Sequence, residues 1–228
     1  MVGEDGLTAI IMLSLQVALV AMVIVLPLAT GIGYALSKPG WRGRFLVSAL
    51  VHMPLVTPPV VTGYVLLLAF GSQGVIGKPL SAMGLEFAFS WAGAALAAAV
   101  MALPLVVRPI RLAFEAQDSR LQDMAAILGA GHWKRFAGVA LPLALPGLLA
   151  GFVLGFARAL GEFGATITFV SNIPGETQTL SLAIYSLLQS PTGESAALML
   201  VGVSIAISFA AVLVSEYVAQ IMERRAER

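Results

Sequence analysis

Residues 118–142 read DSRLQDMAAILGAGHWKRFAGVALP and lie between two long apolar stretches. Ser119 with Gln122 three positions later predicts a capping box, which starts a helix. Apolar residues at helical spacing follow on one face, and Gly129 and Gly131 end the pattern. These apolar residues are Leu121, Met124, Ala125 and Leu128. At about 1.5 Å per residue this helix is roughly 14 Å long, so it is too short to cross a membrane.

The same segment allows two interpretations. Its small-residue surface suits a helix that sits in a groove of another protein. An amphipathic helix of this kind also lies on lipid headgroups. The physical pattern alone does not separate them.

The composition indicates a membrane protein. Hydrophobic residues make up 59% of the 228 residues, charged residues make up 11%, and the mean hydropathy is +0.93. A soluble domain carries roughly 25% charged residues, so this chain cannot cover a water-facing surface. There is no cysteine, which excludes disulfides, thiolate catalysis and cysteine-based metal centres. His52 and His132 are the only histidines and lie far apart, so we predict no metal site and no cofactor.

Five apolar stretches are long enough to cross a hydrocarbon core about 30 Å thick. They predict an all-α polytopic membrane protein with one domain over residues 1–228 and a loop at 111–142. The first stretch is not a signal peptide, because Glu4 and Asp5 stand where a basic region is needed. The predicted spans lie near 8–36, 45–70, 88–110, 143–169 and 196–219.

The basic residues predict the orientation. Eleven of the 13 fall on one side of a five-span arrangement, whereas Lys78 lies on the other side and Arg158 lies inside a span. Because cytoplasmic loops carry the excess of Lys and Arg, the amino terminus is predicted outside and the carboxyl terminus in the cytoplasm. The eleven are Lys38, Arg42, Arg44, Arg108, Arg111, Arg120, Lys134, Arg135, Arg224, Arg225 and Arg228.

Two spans carry unusual residues. Pro54, Pro58 and Pro59 disturb the second span. They predict either a discontinuous helix that lines a pathway or a helix that begins only after Pro59. Small residues repeat every four positions on the fourth span and favour close helix packing, although glycine is also common in membrane helices. The repeat is Gly147, Gly151, Gly155 and Ala159.

The pattern Asp123-Met-Ala125, Gly129 and Val139-Ala-Leu-Pro142 resembles the EAA loop of ABC-importer permeases. Asp123 replaces the usual glutamate and Met124 the usual first alanine, which changes neither the charge nor the helical character. The resemblance implies a coupling helix that sits in a cleft of an ATPase subunit. It assigns this coupling role to Asp123, Met124, Ala125, Ala126, Gly129, Ala130, Gly131, Leu141 and Pro142.

A second segment, FARALGEFGATITFVSNIPGETQTLSLAIY at 156–185, is similar to molybdate permease subunits, as is PPVVTGY at 58–64. Sulfate permeases share only the ARALGE core of the first segment. The resemblance implies a type I ABC importer permease that works as a homodimer in a bacterial or archaeal cell membrane. Its implied partners are two ATPase subunits and an external molybdate-binding protein. Tungstate is a further candidate cargo, and a sulfate or thiosulfate permease is the alternative.

Polar groups in the same segment allow two roles. Arg158 and Glu162 lie one turn apart at membrane depth, where a charge is costly. We favour a structural ion pair; the alternative places Arg158 on the permeation path, where it attracts a dianion. The run Thr166, Thr168, Ser171 and Asn172 predicts either a hydroxyl-rich vestibule or, as we favour, a solvated loop end. Pro58 and Pro59 are assigned to the path with these residues.

Other function classes fit poorly. The stretch GSQGVIGKP at 71–79 resembles a phosphate loop, but Ser72 replaces a required glycine and Pro79 the magnesium ligand. The chain is therefore predicted to have no ATP site and no catalytic residue of its own. A membrane enzyme needs convergent acid, base or metal groups, and few charges lie near membrane depth. A passive channel has no use for a coupling helix, and nothing in the sequence points to nucleic acid.

Overall fold

The computed structural model describes residues 4–40 and 42–226; of residues 1–5, 215 and 218–228 no side chain is described. Within these ranges all regular secondary structure is helical, and there is no strand. The helices are α1 Glu4–Ser37, α2 Arg44–Val56, α3 Pro59–Phe70, α4 Gly77–Ala82, α5 Trp91–Glu115, α6 Ser119–Ile127, α7 His132–Arg135, α8 Leu141–Leu143, α9 Leu145–Leu160, α10 Gly164–Val170, α11 Leu180–Leu188 and α12 Glu194–Ala226. A π-helical turn, Phe136–Ala140, joins α7 to α8.

Helix α5 is the centre of the fold, and α1 and α9 both pack on it. Its buried face is rich in alanine, including Ala94, Ala97, Ala98 and Ala102, which are fully buried. Small side chains let helix backbones approach closely, and in lipid this packing is a main source of association.

The glycine repeat of α9 packs against α5. Gly147, Gly151 and Gly155 are all buried. A Cβ added at Gly147 would lie 2.7 Å from the Pro109 carbonyl oxygen, and one at Gly151 would lie 3.0 Å from the Val106 carbonyl oxygen. The predicted packing role is therefore confirmed, and the partner is α5 of the same chain.

The predicted span 45–70 consists of two helices. The chain breaks at Thr57, which has ψ 140°, and α2 and α3 meet at an angle of 114°. The residue before a proline is disfavoured in the helical conformation, so Pro58 accounts for the break. Pro59 then occupies the first turn of α3, where its missing N–H costs nothing. Of the two predictions for this span, the discontinuous helix matches the observed geometry.

The predicted continuous span 143–169 is wrong. Helix α9 ends at Leu160, the chain crosses 161–163 without helix, and α10 restarts at Gly164. Before α9, the segment His132–Leu143 is bent from it by 66°. At this break the Glu162 carboxylate accepts a hydrogen bond from the Ala165 N–H, which satisfies one of the free N–H groups at the start of α10.

Three helical segments are long and apolar enough to cross a membrane, namely Gly6–Ser37, Trp91–Glu115 and Glu194–Val214. The count reaches five when each bent pair is taken as one span. Helix α5 runs on to Glu115, so Arg111, which falls in the predicted loop 111–142, lies on the helix together with Arg108. The side chains of Glu4, Asp5, Arg224, Arg225 and Arg228 lie outside those described.

Candidate functional site

The helix predicted in this loop is present as α6, but its cap differs from the prediction. Asp118, not Ser119, is the N-cap, and its carboxylate accepts a hydrogen bond from the Arg120 N–H at 2.9 Å. Ser119 is already helical, so the predicted Ser119–Gln122 capping box is wrong. An aspartate cap is as favourable as a serine cap, and it also places negative charge at the helix amino terminus.

The end of α6 is a Schellman motif around Gly129. The Gly129 N–H donates to the Ala126 carbonyl oxygen and the Ala130 N–H to the Ala125 carbonyl oxygen, both at 2.9 Å. Gly129 has φ +82°, a conformation that glycine adopts without strain. Gly131 then caps α7. The predicted end of the helix is confirmed, and the positive φ explains why glycine stands there.

The apolar face of α6 is not covered by this chain. Met124 is 60% exposed, whereas Ile127 and Leu128 are each 85% exposed. Asp123 and Ala126 are exposed beside them, and no residue of α6 is buried. Large apolar side chains exposed together mark an interaction surface.

The loop that carries α6 is tied firmly to the bundle. The Gln117 side-chain amide donates to the Ala140 carbonyl oxygen at 2.8 Å, which closes the loop just before Leu141 and Pro142. Phe136 packs edge-on against Tyr34 of α1, with ring centroids 4.8 Å apart, and against Phe114 of α5. These contacts connect the loop that carries α6 to α1 and α5. The sequence pattern did not indicate Tyr34, because its contact partner lies about a hundred residues away.

The second group of predicted site residues lies where the two broken spans meet. A Cβ added at Gly164, the start of α10, would lie 2.7 Å from the Cβ of Pro59, the start of α3. One turn on, a Cβ added at Gly63 would lie 2.9 Å from the Cα of Ala165. The two helices therefore start side by side and in close contact. We call this place, residues 57–63 and 161–166, the junction.

Arg158 and Glu162 form an ion pair at the junction. The Arg158 Nη1 lies 2.5 Å from the Glu162 Oε2, and the other Glu162 oxygen accepts from the Ala165 N–H at 2.7 Å. The Glu162 side chain is 2% exposed, whereas that of Arg158 is 26% exposed. The carboxylate thus joins the end of α9 to the start of α10, while the Arg158 side chain remains partly exposed.

The hydroxyl residues of α10 do not form a solvated loop end. Thr166 is 2% exposed, so that favoured interpretation is wrong for this residue. The Thr168 hydroxyl donates to the Gly164 carbonyl oxygen at 2.9 Å, within its own helix. The following residues are also held in place, because the Asn172 side-chain amide donates to the Leu182 carbonyl oxygen and contacts the Ser186 hydroxyl.

Comparison with known proteins supplies the family. The model for binding-protein-dependent transport system inner membrane components matches residues 26–227. The chain belongs to this family of transport permeases. A TM-score of 0.71 with 17% identity relates it to a chain in the crystal structure of a bacterial ABC transporter involved in the import of alginate, over 99% of this chain and 81% of that one. At this identity the likeness shows the permease fold alone.

Closer relatives within the family are similar over nearly their whole length. The molybdenum transport system permease protein ModB of Escherichia coli (strain K12) is 51% identical over 219 residues, 96% of each chain. ModB of Haemophilus influenzae is 51% identical over 214 residues, 93% of each chain. The sulfate transport system permease protein CysW of Synechococcus elongatus is more distant, at 34% identity over 84% of this permease and 70% of that one.

Proposed function

We propose that this permease is the membrane-spanning subunit of an ATP-driven importer of molybdate, with tungstate as a second cargo. The observation that supports molybdate as the cargo is the 51% identity to a molybdenum permease over 96% of both chains, compared with 34% identity to a sulfate permease. Moving a dianion through hydrocarbon unaided costs tens of kcal/mol, so a polar path through protein is required.

The proposed assembly has two copies of this chain, two ATPase subunits in the cytoplasm and an external binding protein. The exposed apolar face of α6, with Met124, Ile127 and Leu128, is the surface offered to the ATPase. Helix α12 offers a surface to a second copy or to lipid, because only 11% of the residues in its most apolar stretch, within Glu194–Val214, are buried. In this arrangement ATP binding draws the α6 helices of the two copies together. The aromatic contacts of Phe136 pass that movement to α1 and α5.

At the junction, the Arg158–Glu162 pair serves the structure in this proposal. Glu162 is buried and Arg158 is its ion-pair partner, so separating the two would leave a charge in an apolar setting. An importer permease also has to bind its cargo weakly, because tight capture belongs to the external protein. Thr57 and Thr62, whose hydroxyl oxygens lie 3.4 Å apart at the break, are the polar groups that α2 and α3 bring to the junction.

The cargo is tested with the assembled transporter in proteoliposomes that are supplied with ATP and the binding protein. Radioactive molybdate and tungstate should accumulate, and a hundredfold excess of sulfate should compete poorly. A vesicle preparation without ATP controls for leakage. Sulfate uptake equal to molybdate uptake would favour the sulfate or thiosulfate permease instead.

A further inference from the structure

A charged cavity lies between α2 and α5, apart from the junction and the coupling helix. Its volume is about 470 Å³, and its polar lining is formed by Ser48, His52, Arg108, Arg111 and Glu115. None of these residues belongs to the coupling helix or the junction. The cavity is large enough for a tetrahedral oxyanion together with water.

A cluster of four charged residues at the cavity carries more positive than negative charge: Arg108, Arg111 and Glu115 line the cavity, and Arg44 pairs with Glu115 from outside the lining. One carboxylate oxygen of Glu115 is shared by two arginines, with Arg44 Nη2 at 2.5 Å and Arg111 Nε at 2.9 Å. Arg108 is exposed on the same wall, and among the side chains that the structure describes its guanidinium has no ion-pair or hydrogen-bond partner. Three guanidinium groups against one carboxylate leave two uncompensated positive charges.

The position of Arg108 on a helix long and apolar enough to cross a membrane makes its lack of a partner informative. It precedes the end of α5 by seven residues, or about 10 Å along the helix. An unpaired charge inside a spanning helix is costly and is retained where it meets a cavity or a ligand. Across the cavity, the His52 Nδ1–H donates to the Ser48 carbonyl oxygen at 2.7 Å, which holds the imidazole against the wall. His52 lies on α2 about one turn before the break at Thr57.

We propose that this cavity is an oxyanion-binding station for the transported dianion on the cytoplasmic half of its path. The proposal rests on the function proposed above. Guanidinium groups present paired N–H donors that match the oxygens of a tetrahedral anion. Arg108 would receive the anion, and Arg111 with Arg44 would draw it toward the cytoplasm. A lipid phosphate offers the same chemistry, but a phosphodiester carries one negative charge, whereas the cluster of Arg44, Arg108, Arg111 and Glu115 carries two net positive charges.

The absence of cysteine from the chain allows a direct test. Ser48→Cys places one thiol on the cavity wall and leaves the backbone carbonyl that holds His52 intact. The variant is assembled with its ATPase and binding protein in phosphatidylcholine nanodiscs, and labelling is read on the permease chain alone. A negatively charged methanethiosulfonate should react faster than a positively charged one of similar size. Sodium molybdate should slow the reaction more than potassium chloride of equal ionic strength.

Charge variants then identify the group that binds. Arg108→Gln in the Ser48→Cys background should weaken protection by molybdate about tenfold or more, since a hydrogen bond to a charged group is lost. Arg108→Lys should keep the preference for the anionic reagent but weaken the protection, because it keeps the charge and loses the paired donors. Arg42→Gln is the matched control. It removes the same charge from the neighbouring loop outside the cavity and should leave protection unchanged.

Other outcomes would contradict the oxyanion site or the proposed cargo. Equal rates for the two reagents, with no effect of molybdate, would overturn the oxyanion site. Protection by phosphatidylglycerol but not by molybdate would assign the site to a lipid phosphate and overturn the cargo assignment. ATP-driven uptake is measured on the same Ser48→Cys complex. If this complex fails to take up molybdate but still prefers the anionic reagent, the proposed cargo is contradicted and anion binding in the cavity is not.

Discussion

The Glu162 carboxylate holds two parts of the chain at once. One oxygen pairs with Arg158 on α9, and the other accepts the Ala165 N–H at the start of α10. A spacing of four residues predicts the ion pair when both residues lie on one helix. Here the helix ends between them, and the pair survives because the chain at Gly161 stays near the helical path. The spacing therefore predicted the contact, but not that the contact bridges a break.

The structural role of this pair makes a prediction about stability. Glu162→Ala should lower the free energy of unfolding by about 1.5–3 kcal/mol, because the Ala165 N–H loses a charged acceptor and Arg158 loses its partner. Thermal unfolding in detergent measures the loss. The double variant with Arg158→Ala should cost less than the two single variants added together, by about 0.5–3 kcal/mol. Additive losses, or an Arg158→Ala variant that keeps full stability but loses transport, would place Arg158 on the path instead.

Helix α6 shows what element-level patterns predict. The spacing of its apolar residues and its terminal glycine predicted the position and the end of the helix. The choice of cap was wrong, since Asp118 and Ser119 are both good capping residues and only the backbone conformation separates them. The prediction omitted Ile127, which is among the most exposed apolar residues on α6. No residue of α6 is buried, so the helix has no single face that packs against this chain.

Gly129 tests whether α6 docks onto the ATPase. Nothing lies within 4 Å of a Cβ added there, so Gly129→Asp should leave the membrane bundle folded, and the local strain at φ +82° is one that Gly129→Asn shares. It adds a side chain and a charge to the proposed interface, where such a change costs about 1–3 kcal/mol, or about tenfold or more in affinity. Co-purification of the ATPase with detergent-solubilised permease measures the effect.

Gly129→Asn is the control for this prediction, because asparagine has a similar shape, tolerates positive φ and carries no charge. It should retain more ATPase than Gly129→Asp. Unchanged co-purification and unchanged ATP-driven uptake for Gly129→Asp would show that α6 lies on lipid and is not the docking element.

The packing of α9 on α5 predicts unequal effects at two glycines. A Cβ added at Gly155 would lie 2.8 Å from the Met22 sulfur, whereas one at Gly202 on α12 meets nothing within 4 Å. Gly155→Ala should therefore destabilise the bundle by about 1–3 kcal/mol through overpacking. Gly202→Ala should be neutral or stabilise by up to about 1 kcal/mol through helix propensity. Equal melting temperatures of the two variants in detergent would contradict the packing of α9 against α1 and α5.

At the scale of the whole molecule, composition and hydropathy predicted an all-helical membrane fold and the approximate places of five apolar segments. They did not predict that the second segment breaks at Thr57 and the fourth at 161–163, nor that the helices restarting after these breaks meet at Pro59 and Gly164. Such a meeting is a tertiary contact between residues about a hundred positions apart, and single-segment patterns carry no information about it. The helical position of Arg111 was missed for a simpler reason, because α5 continues five residues past its predicted end at 110.

Orientation across the membrane is the last expectation to test, and it rests on the one-sided placement of Lys and Arg. The chain has no cysteine, so single thiols report without background. Ser119 at the start of α6 and Ser190 after α11 are both exposed. In intact cells, Ser190→Cys should react with a membrane-impermeant maleimide, and Ser119→Cys should react only after the membrane is opened. Ser37→Cys, at the end of α1, should behave as Ser119→Cys does. Reaction of Ser119→Cys from outside in intact cells would reverse the orientation and remove α6 from the reach of a cytoplasmic ATPase.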